Sequence, residues 1–320
     1  MVSRFSYSYY YVNCRWYYKL ADKNGNYICA IIPGVSFDYQ GKDSHCFIQF
    51  LTNSISNLSN YYRYDIKDFS YSPDSLDIRL GRSTFRLNGI DLDIEDDASS
   101  ITGALKFYNM TPWPVKLFSP GAMGWYAFVP FMECYHGVLS FNHQIEGQLS
   151  VDGVKIDLNG GKGYIEKDWG KSFPKYHIWL QTNHFTNPGT SLLVSVANIL
   201  WLGKHFNGFL IGLLYNNEIY TFTTYSGAKI EEFEWNGHKL TIQVRSKHYS
   251  LEIEVSQADG TELRAPLIGK MEGRLLESLS ATTQLRLHKL VKNGRELIYS
   301  DMGKNTGLEV EGKIPKTLNF

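Results

Sequence analysis

The sequence predicts an all-β protein built from antiparallel sheets. Two-residue turn signals interrupt the chain at short intervals, and most of them separate runs of Ile, Val, Tyr, Phe and Leu, as hairpin loops do. The signals are Asn24-Gly25, Asn88-Gly89, Asp152-Gly153, Asn216-Asn217, Asn236-Gly237, Asp259-Gly260 and Asn293-Gly294. Apolar and polar residues alternate through KLTIQV and SLEIEV, so one face of each strand packs inward and the other meets water. The chain shows no long helical period.

The clearest succession of strands runs from residue 218 to residue 255. It reads EIYTFTTY, KIEEFEW, KLTIQVRS and YSLEIEV, with a turn after each of the first three, and this order predicts a meander. Residues 147–158, GQLSVDGVKIDL, predict an earlier hairpin of the same kind. One segment departs from the β pattern, since MEGRLLESL at residues 271–279 favours a short helix.

Length and charge limit the classes of function. A chain of 320 residues that is 43% hydrophobic has room for about two domains with sizeable cores. Its 32 basic residues balance 32 acidic ones, and it contains no basic run, so a nucleic-acid partner has no electrostatic support. The longest apolar stretches, SLLVSVANILWLG and GFLIGLLY, are too short for a spanning helix. We therefore expect a soluble protein with, at most, peripheral membrane contact.

The cysteines and the amino-terminal segment indicate the compartment. Cys14, Cys29, Cys46 and Cys134 are scattered without a CxxC motif, which is typical of reduced, packed thiols. The first residues, MVSRFSYSYYYVNCRWYY, lack the continuous apolar core of a signal peptide. Both observations predict a cytoplasmic protein.

Residues 160–185, GGKGYIEKDWGKSFPKYHIWLQTNHF, concentrate side chains that can carry chemistry. The candidates are Glu166, Asp168, Trp169, Trp179, Gln181 and Asn183. Carboxylic acids can donate a proton, indole faces can stabilise a developing cation and amides can orient a polar group. The set suits proton-initiated chemistry on an apolar substrate. Alternation along a strand would place Tyr164, Glu166 and Asp168 on one face.

A second cluster follows from GWYAFVPFMECYHG. It comprises Trp125, Tyr126, Glu133, Tyr135 and His136. Glu133 and His136 could form an acid–base pair at the other wall of a pocket. Glu-x-x-His is also a metal-ligand spacing on a helix, but this segment follows Pro130 in strand-like sequence without a second His motif, so we predict no metal. The sequence has no GxSxG, Walker or strand-linked GxGxxG motif to support a hydrolase or a nucleotide-dependent enzyme.

Several of these motifs together resemble the tocopherol cyclase family. The similar segments are residues 163–185, SPGAMGWYAFVPFMECYHG at 119–137, IPGVSFD at 32–38, SVANILWLG at 195–203 and GLEVEG at 307–312. The EKDW core is also similar to the carotenoid hydratase-like lipocalin superfamily. The resemblance covers nearly the whole chain.

The resemblance implies an architecture and an activity. It implies two lipocalin-like antiparallel β-barrel or sandwich domains packed together, which we place at residues 1–172 and 173–320. It also implies an isomerase, an intramolecular lyase that closes a ring by adding a phenol hydroxyl across a double bond of a prenyl tail. Substrate and product are isomers, so no redox cofactor is expected, and the partner is a hydrophobic prenylated quinone-type small molecule.

The chemistry leaves alternatives open. Burial in an apolar pocket would raise the pKa of Glu166, so that its carboxylic acid could protonate the alkene. Asp168 is a second candidate for this acid. Equally, Glu166 could pair with Lys167, Lys171 or an arginine and serve structure alone. Water in place of the internal hydroxyl would make the protein a hydratase of a prenyl double bond. Without turnover it would be a lipocalin-like carrier of a hydrophobic ligand.

Overall fold

The protein is all-β, as predicted. The computed structural model describes residues 13–38, 43–54, 58–96, 99–130, 132–258, 260–267, 270–315 and 318. Strands β1 to β11 span Asn13–Ala21, Ile28–Ser36, His45–Thr52, Leu58–Asp65, Phe69–Tyr71, Asp77–Leu80, Ser83–Arg86, Gly89–Glu95, Ser100–Tyr108, Cys134–Val151 and Val154–Asp157. Strands β12 to β22 span Gly161–Gly170, His177–Thr182, Ser191–Trp201, Lys204–Tyr215, Glu218–Thr223, Lys229–Trp235, Lys239–Arg245, Tyr249–Ser256, Thr261–Leu267, Lys270–Val291 and Gly294–Glu311.

The helices of the described residues are three short 3-10 turns. They span Ile66–Asp68, Gly124–Phe128 and Thr224–Ser226. Within the described part of the chain, no helix has the length and apolar character needed to cross a bilayer.

The strands form two antiparallel sheets. The first has the order β4-β3-β2-β1-β12-β10-β9-β8-β7-β6-β5, with β11 paired to β10. The second has the order β16-β15-β14-β13-β22-β21-β19-β18-β17, with β20 paired to β21. In the first sheet, β1 pairs along its whole length with β12, which carries the EKDW motif. This pairing brings the first described strand beside residues far along the sequence.

The chain divides into two compact units. Unit 1 takes its described residues from Met1–Trp113, Cys134–Ser172 and Leu263–Arg274, and unit 2 from Pro114–Glu133, Phe173–Glu262 and Leu275–Phe320. The units change over after Ser172, and each also takes in a short segment from elsewhere in the chain. Residues 1–172 and 173–320 stay our predicted domains.

Unit 1 buries both faces of its central strands. One face of β1 contributes Trp16, Tyr18 and Leu20 to a large apolar core, which Ile165 of β12 also joins. The other face of β1 carries Arg15 and further polar side chains, yet every residue of β1 is buried. Polar groups are therefore held away from water on the second face, where they need partners.

Unit 2 repeats this division between an apolar and a polar buried face. Ile178 and Leu180 of β13 enter its apolar core. His177, Trp179 and Gln181 alternate with them and point to the opposite face by the strand period, and all six residues of β13 are buried.

Two local predictions are wrong. Residues 271–279 are part of β21 and not a helix, because Glu277 and Ser278 pair with Glu309 and Leu308 of β22. Pairing of this kind overrides the helix propensity of the segment. The predicted meander is also interrupted: β17, β18 and β19 are neighbours, but β16 pairs with β15 at the other end of the sheet.

Turn chemistry explains several hairpins. Asp152 and Gly153 join β10 to β11 with φ values of 50° and 81°, and Asn216 and Asn217 join β15 to β16 with 49° and 62°. Asn, Asp and Gly tolerate this left-handed conformation, and such turns match the twist of paired strands. Of the turn signals, Asp259 lies outside the described residues.

Candidate functional site

A row of charged side chains crosses three neighbouring strands of unit 1. In the strand register, Arg15 of β1 and His136 of β10 both stand opposite Asp168 of β12. Directly opposed residues on adjacent strands point to the same face, with Cβ atoms about 5 Å apart. The pairing of the sheet therefore gathers an arginine, an aspartate and a histidine from three distant parts of the sequence.

Glu166 extends the row into a continuous polar cluster. His136 Nδ1 lies 2.7 Å from Asp168 Oδ1, and Arg15 Nε lies 3.4 Å from Asp168 Oδ2. The other imidazole nitrogen of His136, Nε2, lies 3.5 Å from Glu166 Oε2. Tyr164 donates its hydroxyl proton to the same Glu166 oxygen at 2.6 Å. We call these five residues the relay cluster.

The electrostatics of the relay cluster favour a protonated imidazole. Burial opposes the cation, but the charges of Glu166 and Asp168 outweigh it and raise the pKa of His136 from 6.5 to about 9. Burial also opposes the Asp168 carboxylate, but His136 and then Arg15 hold its pKa below the usual value. Burial, reinforced by Glu166, raises the pKa of Tyr164 well above its ordinary value. The imidazolium thus sits between two carboxyl groups in a buried site.

The same residues could hold a cation of another kind. His136, Glu166 and Asp168 each offer one ligand atom, and these atoms lie within 4.8 Å of one another. A metal ion would need a neutral imidazole as ligand. In the structure Nδ1 of His136 contacts Asp168, and the Arg15 guanidinium already neutralises the second oxygen of Asp168. The donor set is therefore better matched to a proton than to a divalent ion.

Trp169 lies on the opposite face of β12 from Glu166 and Asp168. It packs against the apolar core of unit 1, and its ring stacks on Tyr135 at 5.5 Å with an interplanar angle of 8°. The ammonium of Lys167 lies 5.0 Å from the Trp169 ring centroid and 5.2 Å from that of Trp16. The cation–π surface of Trp169 is thus already engaged by a lysine. The structure does not bring Trp169 and Tyr135 together with the relay cluster.

The remaining predicted residues of the second cluster belong to unit 2. Trp125 and Tyr126 lie on the 3-10 helix Gly124–Phe128, where Trp125 is half exposed. Glu133 is partly buried, and burial raises the pKa of its carboxyl group. His136 is placed in unit 1, where its contacts are with Asp168 and Glu166. The pairing of Glu133 with His136 stays a prediction.

The amide residues lie on the polar face of β13 in unit 2. Gln181 is fully buried, and its Nε2 donates to Ser191 Oγ at 3.4 Å. Trp179 stands opposite Glu309 of β22, whose Oε2 lies 3.3 Å from His177 Nε2. Trp179 and Gln181 therefore share a buried face that also holds a histidine in contact with a carboxyl group.

Asn183 follows the end of β13 and is buried as well. Its position continues the alternation of Trp179 and Gln181 along the chain. The structure thus places Trp179, Gln181 and Asn183 at buried positions of one short segment.

Sequence reasoning missed Arg15 and Glu309. Arg15 lies in NCRWYYKLA, where nothing but alternation distinguishes it, and its role appears only when β1 pairs with β12. Glu309 lies in GLEVEG, a segment noted for resemblance but not for chemistry. A polar residue recurring at every second position of an otherwise apolar strand was the available signal for both.

Comparison with known proteins gives the chain a family. Residues 95–312 match the tocopherol cyclase-like family. The chain is 29% identical over 201 residues to a probable chloroplastic tocopherol cyclase of Oryza sativa subsp. japonica. The aligned region covers 59% of this chain and 42% of the rice protein. It is 31% identical over 153 residues to the chloroplastic tocopherol cyclase of Zea mays, covering 45% and 31% of the two chains. The matches thus span less than half the length of these curated relatives.

Solved structures share the fold at low sequence identity. A protein assigned as AttH from Nitrosomonas europaea aligns with a TM-score of 0.53 and 12% identity, over 95% of this chain and 93% of its own. CghA, solved with Sch210972, aligns with a TM-score of 0.55 and 9% identity, over 94% and 89% of the two chains. These neighbours support the lipocalin-like all-β fold. The family match covers more than half of the sequence, and the chain belongs to the tocopherol cyclase-like family.

Proposed function

We propose that the protein is an isomerase that cyclises a prenylated phenol or quinol, or a related polyprenyl compound, by an acid-initiated reaction. The family membership and the two relatives called tocopherol cyclases support the reaction class. The relay cluster supports the acid. The observation that carries the proposal is the buried contact between His136 Nε2 and Glu166 Oε2 at 3.5 Å.

The proton for the reaction is held on His136, beside Glu166. Protonating an unactivated alkene needs an acid that stays protonated near neutral pH and is shielded from water. His136 holds such a proton, since its pKa is raised to about 9, and Glu166 is 3% exposed. We propose that this proton passes from the His136 imidazolium to Glu166, whose carboxyl group delivers it to the alkene. Asp168 holds the imidazole in place through Nδ1.

The proton balance closes without a cofactor. One proton adds to a carbon of the prenyl double bond and leaves a tertiary carbocation at its neighbour. The oxygen of the internal hydroxyl forms a bond to that carbon and releases its own proton. This proton returns to the His136–Glu166 couple, so the enzyme ends in its starting state. Glu133 is our proposed assistant at the hydroxyl, because its carboxyl pKa is raised by burial.

Substrate binding is proposed for the remaining predicted residues. Trp179, Gln181 and Asn183 are buried and combine an aromatic ring with amide groups, which suits a ring with hydroxyl substituents. Trp125, Tyr126, Tyr135 and Trp169 stay predicted apolar contacts. The engagement of Trp169 with Lys167 and Tyr135 makes it the weakest of these candidates.

A mass comparison tests the reaction class. The protein is incubated with prenylated quinols dispersed in detergent, and products are separated and weighed by mass spectrometry. A cyclase yields a product of unchanged mass and altered retention. A product heavier by one water would identify a hydratase, and bound but unaltered quinol would identify a carrier. Either of these outcomes would overturn the proposal.

Replacing Glu166 by glutamine tests the assignment of the acid. The amide keeps the size of the side chain and removes the acidic proton, so we expect turnover to fall roughly 10²-fold to 10⁴-fold while quinol binding persists. The matched control is Glu146→Gln on the exposed side of β10, which should leave turnover unchanged. A lower melting temperature with intact turnover per folded molecule would make Glu166 a structural residue.

A further inference from the structure

Exposed apolar side chains concentrate in two segments of unit 2. Seven of the thirteen exposed large hydrophobic side chains in the described part of the chain lie either in residues 114–130 or at the hairpin between β14 and β15. They are Val115, Leu117, Phe118, Trp125, Phe128, Trp201 and Leu202. Single exposed apolar residues are ordinary, whereas a concentration of them marks an interaction surface.

The first segment begins with a tight turn that has an apolar tip. The backbone N–H of Lys116 donates to Ser119 O at 2.9 Å, and the N–H of Ser119 donates to Lys116 O at 3.0 Å. These two hydrogen bonds leave Leu117 and Phe118 at the tip, where they are 84% and 78% exposed. The fold thus holds two large apolar side chains in water on a closed turn.

The β14–β15 hairpin has an apolar tip of unusual backbone conformation. Trp201 pairs with Lys204, and the two residues between them, Leu202 and Gly203, have φ values of 48° and 79°. A two-residue turn of this kind favours Asn or Gly at both positions, and a leucine is disfavoured there by its Cβ. Leu202 is also 70% exposed. Backbone and hydration both oppose a leucine at this position, so local folding does not account for it.

Tyr225 anchors the first segment within unit 2. Its hydroxyl donates to Ala122 O at 2.8 Å, and the side chain of Ser119 interacts with the same hydroxyl. A Cβ on Gly124, which has a φ of 56°, would lie 2.4 Å from the Tyr225 ring, so the ring packs directly on this backbone. The base of the Leu117–Phe118 turn is therefore fixed.

Trp201 joins the two segments. Its indole Nε1 donates to Pro130 O at 3.1 Å, and the ring of Tyr126 packs edge-on against Phe206 of β15 at 6.2 Å. The hairpin and the segment 114–130 therefore form one surface, which we call the two-tip surface. Because the indole N–H already has its acceptor, the Trp201 ring can enter an apolar phase without an unpaired donor.

Lysines flank both tips of the two-tip surface. Residues 114–132 and 191–215 contain no Asp or Glu, although the whole chain has as many acidic as basic residues. Lys116 and Lys204 stand next to the two tips and are exposed. Lysines at the level of lipid phosphates, with apolar and aromatic side chains beyond them, are the pattern of an interfacial anchor.

We propose that the two-tip surface docks unit 2 on an anionic lipid membrane, with Leu117, Phe118 and Leu202 inserted among the acyl chains. The choice of a membrane over a protein partner rests on two turns with exposed apolar side chains and flanking lysines. It also rests on the proposed function, because a prenylated quinol is dissolved in a bilayer. Docking would bring the enzyme to its substrate.

Vesicle binding tests this surface. The protein is mixed with phosphatidylcholine vesicles with or without phosphatidylserine, and the bound fraction is measured by flotation. We expect binding to the anionic vesicles that weakens with salt. The double variant Phe118→Ser/Leu202→Asn should bind the anionic vesicles at least about tenfold more weakly than the wild type. Because Asn suits the backbone conformation of the turn at residue 202, the melting temperature of the double variant should not fall. The matched control is Leu297→Ser, a 54% exposed leucine of unit 2 outside the surface.

The outcomes separate this proposal from the proposed function. Absence of wild-type binding to either vesicle, or equal losses in Leu297→Ser and the double variant, would overturn membrane docking. A wild-type oligomer that the double variant dissociates would show an interface between copies, and would overturn it as well. Turnover is measured in parallel on quinol in detergent, where the double variant should match the wild type. If the wild type binds vesicles but shows no turnover, only the cyclase proposal is refuted.

Discussion

Because His136 is protonated in the folded protein, the protein should lose stability as the pH becomes alkaline. The pKa of His136 is about 9 in the folded state and 6.5 in an unfolded chain. A raised folded pKa contributes stability that is fully present below pH 6.5 and is lost as the pH rises through 9. At 1.36 kcal/mol for each pKa unit, the loss amounts to roughly 3 kcal/mol. The lowered pKa of Asp168 records the same attraction, so the two effects are not added.

Replacement of His136 by glutamine tests this coupling. The variant leaves Glu166 and Asp168 with Arg15 as the remaining cation of the relay cluster, so it should be less stable by about 3 to 5 kcal/mol at pH 6.5. It should also lose the decline between pH 6.5 and 9.5. The measurement is urea denaturation followed by tryptophan fluorescence at half-unit pH steps.

The control variant is His238→Gln, which removes an exposed histidine and should retain the wild-type dependence of stability on pH. If wild-type stability stays flat from pH 6.5 to 9.5, or if the wild type and His136→Gln decline in parallel, the imidazolium is not held by the two carboxyl groups. The proton source of the proposed reaction would then have to be sought elsewhere.

Two further predictions concern the core side of β12. A Cβ on Gly163 would lie 2.1 Å from Nε2 of the buried His143, so Gly163→Ala should lower the free energy of unfolding by about 1 to 3 kcal/mol. The control Gly137→Ala, whose added Cβ has its nearest contact at 3.5 Å, should lower it less. Equal melting temperatures of the two variants would contradict this packing. Burial lowers the pKa of His143 from 6.5 to about 3, so the unfolded chain takes up this proton first and stability falls as the pH drops below 6.5. His143→Leu should abolish roughly 3 kcal/mol of the loss between pH 6.5 and 4, as measured by denaturation at each pH, and parallel curves for the two proteins would refute the role of this histidine.

The sequence by itself determined the all-β class and many of the turns. Alternation and Asn/Asp-Gly dipeptides act locally, because a strand face and a hairpin turn are decided within a few residues. The same local rule predicted that Tyr164, Glu166 and Asp168 share one face of a strand, and β12 has the period that this requires. The composition of residues 160–185 likewise marked the place where chemistry was to be expected.

Only the tertiary structure decided which charges meet. Arg15 and His136 reach Asp168 because β1 and β10 flank β12, and no local pattern encodes which strands become neighbours. The same long-range pairing made residues 271–279 a strand against their helix propensity and separated β16 from β17. The charge of the buried imidazole follows from that assembly, since a histidine beside two carboxyl groups keeps a proton that it would lose in water at neutral pH.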